Sequence, residues 1–535
     1  MQLHSPTMPS QPPPPPEAIA IWFTEAEEAR HAGHFDVARA RLDQVLAHDP
    51  AHARAMHAQA QVALASNELE PAQQWVTRAI ATHAEAAFYG TLCVIQIRQG
   101  AYADALQTAQ RGLALAPEST ALLYYQALML QVHGSPDEAA RVYFTLLELE
   151  PDHPRALANL GVVLKDLGSL SEAERYLRQV IDIEPSNRGA RANLGLVLLA
   201  AGHYEEAWPY FEDRAANFVD AEGRPIASNA RLPLPEWRGE RIDGANEDDA
   251  AASSGKRLLI VPEQGFGDSL QFVRYLPLLL ERFSQVGYIC RQPLRRLYEQ
   301  SLSARWPGLV MLDDAYPDVS DWDYQCPLMS LPMAFSTRVE TIPASVYLHA
   351  DAEHSAAWRA RLDALPEAGL PRVGIVWAGG HSGLTDDMAR NLTFARIAPL
   401  LATHGVRWIS LQKTDDDTRR ADAGTSSTRL IDWMDEVTDF ADTAALIDNL
   451  DLVIAVDTSV AHLAAAMGKP VWLLNRFAGC WRWLRQRDDS PWYPGVRIFT
   501  QPQRGDWNDV LSRVAIALQQ RYLLGDGSGA PMTKH

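Results

Sequence analysis

Two short turns carry the residue types that would bind or move charge. EQGFGD at 263–268 directly follows the apolar run RLLIVP (257–262) and opens a helical stretch. Gly265 and Gly267 permit a tight turn and close ligand approach, and N–H groups left free at a helix start attract an anion. Asp268 stands at that helix start, where a carboxylate also serves simply as a cap. The second turn is Asp457-Thr458-Ser459, which ends the strand-like run DLVIAV, with His462 one turn into the small-residue helix that follows. Hydroxyls and free N–H groups there suit a diphosphate or a sugar. Capping by Asp457 or Ser459 over a buried His462 accounts for the same residues. A third segment, 480–499, sets Trp481, Trp483, Trp492 and Tyr493 beside Arg482, Arg485 and Arg487. Aromatic faces stack on sugars or bases and Arg binds phosphate, but such residues equally plug a domain interface. His381, after Gly380, is a rival base. No HExxH or other metal-ligand spacing occurs among the 16 histidines, so no metal and no cofactor are expected. Neither GxSxG nor GxxxxGK[ST] is present.

The elements that position these turns alternate. From Lys256 the runs RLLIVP, VGYIC, LVMLD (309–313) and DYQCPL (323–328) are separated by helical stretches, the first of them the amphipathic SLQFVRYLPLLLERF. After the helical AAWRARLDAL (356–365), a second set follows: VGIVWAGG (373–380), VRWISLQ (406–412), DLVIAVD (451–457) and PVWLLN (470–475). Strands alternating with helices imply parallel sheets covered on both faces. The fresh Gly-rich turn in the second set points to two Rossmann-like units with a cleft between them.

The first part of the chain repeats itself. Gly33, Asn67, Gly100, Gly134, Gly168 and Gly202 are spaced by 34, 33, 34, 34 and 34 residues, and each is followed five residues later by an alanine. Pro50, Pro117, Pro151 and Pro185 close four of the units. Each unit reads as helix, Gly-centred turn and second helix. This period and punctuation resemble the tetratricopeptide repeat, in six copies over 17–221, a stack that offers a concave face to an extended partner. A passive scaffold is the plain alternative.

Composition agrees with a soluble multidomain protein. The 535 residues carry a formal charge of -19, with -12 in residues 1–220 and -7 beyond. That balance disfavours nucleic acid as a partner. No apolar run approaches the roughly 20 residues of a membrane span, and the start lacks a secretory pattern, so a cytoplasmic location is expected. The four cysteines lie far apart and read as buried reduced thiols. Residues 1–16 read as a disordered Pro-rich tail, and 222–255 as a linker with one semi-ordered piece at Leu232–Trp237.

GFGD after the first strand, with DTSVAHLAAAMGKPVW near the end, resembles the heptosyltransferase-type glycosyltransferases of family 9. The resemblance covers about 256–505 and implies an α/β GT-B fold following the all-α repeat superhelix. Residues 256–350 would form the acceptor-side domain, 351–370 an interdomain helix, 371–505 the nucleotide-sugar domain and 506–535 a C-terminal helix and tail. It implies a metal-independent inverting transfer with Asp268 as the base. Asp457, Thr458, Ser459 and His462 would meet the donor, with Gly379, Gly380 and Gln412 lining the cleft. Arg390 stands where the family uses a Lys near the donor phosphate, and Ser459-Val460-Ala461 departs from the family's Gly-containing pattern before His462. The fused repeats resemble the layout of protein O-glycosyltransferases, including flagellin-modifying ones. A protein acceptor held by the repeats is therefore expected. The alternatives are a non-catalytic adaptor with a sugar- or nucleotide-binding domain, and an enzyme acting on a lipid-linked or polysaccharide acceptor, its repeats docking an assembly partner.

Overall fold

The computed structural model describes residues 16–217, 232–242, 255–314, 318–367, 369–380, 389–413 and 430–523. Residues 1–15 of the expected tail 1–16, most of the linker, His381 and residues 524–535 lie outside this set, while Pro16 opens the first helix. The chain divides into two compact units, Met1–Asn187 and Arg188–His535.

The first unit is five helix pairs: α1 (Pro16–His31) with α2 (Phe35–His48), α3 (Ala53–Ala65) with α4 (Leu69–Thr82), α5 (Ala86–Arg98) with α6 (Tyr102–Leu113), α7 (Thr120–Val132) with α8 (Pro136–Leu149), and α9 (Pro154–Asp166) with α10 (Leu170–Ile183). The turn inside each pair needs a left-handed residue, and Gly33 supplies it with φ +78°. The N–H of His34 then bonds the carbonyl of Ala29, closing the helix end. Asn67 takes the same conformation in the second pair, at φ +60°, which Asn tolerates better than most residues. Ala38, Ala72, Ala105, Ala139 and Ala173 are all fully buried where the paired helices cross.

The second unit begins with a sixth pair, α11 (Arg188–Ala201) and α12 (Tyr204–Phe211), and continues into two sheets. The first sheet has the order β3-β2-β1-β4, with β1 Arg257–Val261, β2 Gln285–Cys290, β3 Leu309–Asp313 and β4 Tyr324–Pro327, all parallel. The second has the order β10-β9-β8-β5-β6-β7, also all parallel. Its strands are β5 Arg372–Val376, β6 Arg407–Ser410, β7 Leu430–Ile431, β8 Leu452–Val456, β9 Val471–Asn475 and β10 Val496–Thr500. Strands β8 and β9 are buried throughout, as their unbroken apolar runs require in a sheet covered on both faces.

Three details differ from the sequence expectation. SLQFVRYLPLLLERF is not one amphipathic helix: α13 (Phe266–Phe272) gives way to a 3-10 turn and the short helix Leu276–Leu279, because Pro277 suits only a helix start. Residues 269–276 are all buried, so this stretch has no wet face, and exposure returns only at Pro277 and beyond. The piece at Leu232–Trp237 becomes a sheet edge: Trp237 N–H donates to the Gln325 carbonyl and Gln325 N–H to that of Pro235, covering β4. Strand β10 begins inside the segment 480–499 that the sequence presents as an aromatic tail and runs one residue past it. No helix among the described residues is long and apolar enough to cross a membrane.

Candidate functional site

Each sheet reverses its strand order once, and both reversals carry a motif. In the first sheet the chain runs outward through β2 and β3 and returns to place β4 on the other side of β1. In the second, β8 returns to the other side of β5. The crevice beyond the carboxyl ends of such strands is where open α/β sheets bind ligands. EQGFGD follows β1, Gly379 and Gly380 follow β5, and Asp457-Thr458-Ser459 follows β8.

Gly379, Gly380, Gln412, Thr458 and Ser459 line one cavity of about 390 Å³, joined by Phe266 from the Gly-rich turn. Gln412 shapes its floor, since its Oε1 accepts the N–H groups of Trp377 and Ala378 at 3.1 and 2.8 Å. The N–H of Gly379 is held by Asn391 Oδ1 at 2.9 Å. Arg390 spans the two turns, donating from Nη1 to the Asp457 carbonyl and from Nη2 to that of Gly380, both at 3.2 Å. Thr458 Oγ1 is buried and has no hydrogen-bond partner among the described residues. Such a group beside a helix start is a ready contact for a ligand oxygen.

Asp457 and His462 sit behind this wall. Nδ1 of His462 lies 2.9 Å from the Tyr493 hydroxyl. Burial raises the Tyr493 pKa well above its usual range. Nε2 of His462 lies 3.7 Å from Asp457 Oδ1. Burial raises the Asp457 pKa, but His462, Trp483 and the Arg482 charge outweigh it and bring it down to about 2. Its stabilising contribution is therefore complete above about pH 4 and is lost as pH falls towards about 2. His462 is 4% exposed, so little of its ring is open to the cleft.

Across the cleft, α13 packs against the helix Ser459–Ala466. Gly267 makes this approach: a Cβ there would lie 3.1 Å from His462 Cδ2. Asp268 reaches back to its own turn, its Oδ2 accepting the N–H of Gly265 at 2.9 Å, which is the capping interaction. Its Oδ1 accepts from Arg482 Nη2. The turn is also strained, because Gln264 has φ +52°. Gln264→Gly is expected to raise stability by about 1 kcal/mol, read from the urea midpoint at unchanged slope. An unchanged or lower midpoint would show that the left-handed backbone costs nothing.

The aromatic segment does not line the cleft. Trp492 is fully buried and donates from Nε1 to the Tyr204 hydroxyl at 2.9 Å. Trp481 packs with Tyr204, Trp208 and Phe211 of α12 at centroid distances of 5.8–6.1 Å. Trp483 stacks on His462. Stacking of these three rings on a ligand is thus replaced by a plug, since burial on all sides leaves no free face. Cys93, Cys290 and Cys326 are buried free thiols as expected, whereas Cys480 is half-buried, its Sγ 3.0 Å from Arg482 Nη1.

Comparison with known proteins follows this division. Glycosyltransferase family 9 (heptosyltransferase) matches residues 391–474, and tetratricopeptide repeats match 29–93, 126–187 and 164–221. The chain thus carries tetratricopeptide repeats in its N-terminal region and a glycosyltransferase family 9 domain in its C-terminal region. It is similar to Protein FlbA of Caulobacter vibrioides, 29% identical over 336 residues, 58% of this chain and 52% of that protein. The chain spans about half the length of that curated relative. Among solved structures, the type IV pilus biogenesis factor PilW is 18% identical over 38% of this chain and 94% of its own, at TM-score 0.35. Pseudomonas aeruginosa pilF is 20% identical over 37% and 86%, at TM-score 0.32.

Proposed function

We propose that the chain is an inverting, metal-independent glycosyltransferase that moves a sugar from a nucleotide-sugar donor to a hydroxyl of a protein acceptor captured by the repeats. The observation that carries the reading is the cavity at the second sheet's reversal point, walled by Gly379, Gly380, Thr458 and Ser459 and closed by Phe266 from the opposite lobe. Asp268 would take the proton of the acceptor hydroxyl as its oxygen bonds to the anomeric carbon. The bond from that carbon to the diphosphate oxygen then breaks, and the nucleoside diphosphate leaves with the electron pair. Arg390 and the N–H groups at Ser459 would stabilise that charge.

The test is a screen of ADP-, UDP-, GDP- and CMP-linked sugars for thermal stabilisation and hydrolysis. A true donor at about 100 times its Kd should stabilise the fold by roughly 2.7 kcal/mol. Arg390→Ala should weaken that donor's binding about tenfold. The variant gives up the guanidinium's hydrogen bonds to the Asp457 and Gly380 carbonyls, each worth about 1 kcal/mol. Equal affinity in the variant removes Arg390 from the donor site. A non-catalytic adaptor is the second reading, favoured by the engagement of both Asp268 oxygens, on Gly265 and on Arg482. Stabilisation by a nucleotide sugar with no hydrolysis or transfer would support it.

A further inference from the structure

We propose that Arg482 is a positioning residue, which reaches from the lobe of the second sheet to fix the Asp268 carboxylate on α13. The inference rests on the role of Asp268 given above. Arg482 is 8% exposed, and each of its three nitrogens has a hydrogen-bond partner. Nη2 donates to Asp268 Oδ1, Nε to Gln271 Oε1 and Nη1 to Cys480 Sγ. Asp268 and Gln271 lie three apart on one helix and so share a face, which the planar guanidinium fork grips at two points. An ammonium would offer a point charge there with no fixed plane.

The guanidinium is itself held from its flanks. It lies 4.7 Å over the ring of Trp481 and 5.7 Å over that of Phe272. Trp481 packs in turn on Phe211 and Trp208 of α12, so the position of Arg482 is tied to the last repeat. The backbone close behind it is left-handed at Leu484, φ +55°, a conformation kept in a non-glycine residue only where its surroundings enforce it.

This anchoring has a chemical consequence. One Asp268 oxygen is fixed by Gly265 and the other by Arg482, which sets the plane of the carboxylate. A carboxylate oxygen has two lone-pair sites, so each retains one. With the plane fixed, the direction in which a hydroxyl proton can be accepted is fixed too. Without Arg482 the group would turn about its bond to Cβ, and productive encounters would become a minor fraction.

The experiment uses the full chain with Arg482→Ala, Arg482→Lys, Asp268→Asn and the double variant Arg482→Ala/Asp268→Asn. With the nucleotide sugar found by screening, Arg482→Ala should lower kcat roughly 10–100-fold and leave the donor KM within about threefold. Millimolar methylguanidinium should restore part of kcat, which a merely structural loss would not allow. Arg482→Lys, which keeps the buried charge, stands in if the alanine variant lacks a cooperative melt, and its kcat should also fall. In the stability cycle, the double variant should melt close to the lower single variant, because residues in direct contact are not additive. Turnover within twofold of wild type in the tested Arg482 variant would overturn the proposal, as would a loss confined to the donor KM. If no nucleotide sugar is turned over by the wild type, the functional reading fails instead. The cycle then decides alone: additive shifts overturn the fixed pair, and non-additive shifts sustain it.

Discussion

Asp268→Asn is expected to lower turnover by roughly 10²–10⁴-fold, the range typical of a lost general base, while donor affinity changes by less than about threefold. The cavity proposed for the donor is walled by other residues, so the nucleotide sugar would have little to lose. The fold should weaken as well, by about 1–3 kcal/mol. The amide has one oxygen where the carboxylate has two. It either keeps the N–H of Gly265 and turns its NH₂ towards Arg482, or keeps Arg482 and leaves the turn uncapped. Steady-state transfer, calorimetric titration of the donor and a thermal melt separate these effects. Normal turnover in a folded variant would remove Asp268 from the chemistry. A variant that fails to melt cooperatively would assign the residue chiefly to capping.

The sequence made the local features legible and left the distant ones hidden, for a physical reason. The repeat turn is decided by one residue, so Gly33 and its successors mark every helix pair, and Asn67 is readable as a substitute because it too accepts a positive φ. The turns at EQGFGD and DTS stand out because a buried apolar strand must end just before them. The two sheet reversals, by contrast, depend on which side of β1 or β5 a later strand docks, and no local pattern records that choice. Arg482 and Asp268 are 214 residues apart, and Arg214 and Glu263 are 49 apart. Trp481 and Trp492 were readable as ring platforms or as a plug, and only the docking of α12 decides for the plug. Asn391 was within reach, since it sits beside Arg390 in MARNLTF, but an asparagine that holds a loop N–H has no distinguishing spacing.

A fragment starting near residue 230 is expected not to fold cooperatively, whereas one starting at Arg188 should. The sixth repeat belongs to the second compact unit, and α12 with the turn after it supplies part of that unit's core. Tyr204, Trp208 and Phe211 are each 2% exposed, and Trp208 donates from Nε1 to the Thr337 carbonyl at 2.7 Å. Arg214 is buried and grips Glu263 with two hydrogen bonds, of 3.1 and 2.6 Å. It also bonds Glu212 and the Ser330 hydroxyl, both at 2.9 Å. Glu263 opens the Gly-rich turn and also accepts the N–H of Met329, so the deletion would take the Arg214 charge from a buried carboxylate beside Asp268's loop at a cost of about 3–5 kcal/mol. Losing each buried aromatic costs about as much again, against a total stability of only about 5–15 kcal/mol. The point variant Trp208→Ala should by itself cost about 3–5 kcal/mol, seen as a melting point lower by roughly 10 °C. The fragment from Arg188 should keep donor binding and slow donor hydrolysis. On the proposed capture of the acceptor by the first five repeats, transfer to a protein acceptor should fall sharply, while a small hydroxyl-bearing acceptor should be indifferent. Undiminished transfer to the protein acceptor would assign those repeats to assembly. A fragment from 230 that melts as cooperatively and as high as the one from Arg188 would show that α12 is an attachment to the catalytic unit and no part of its core.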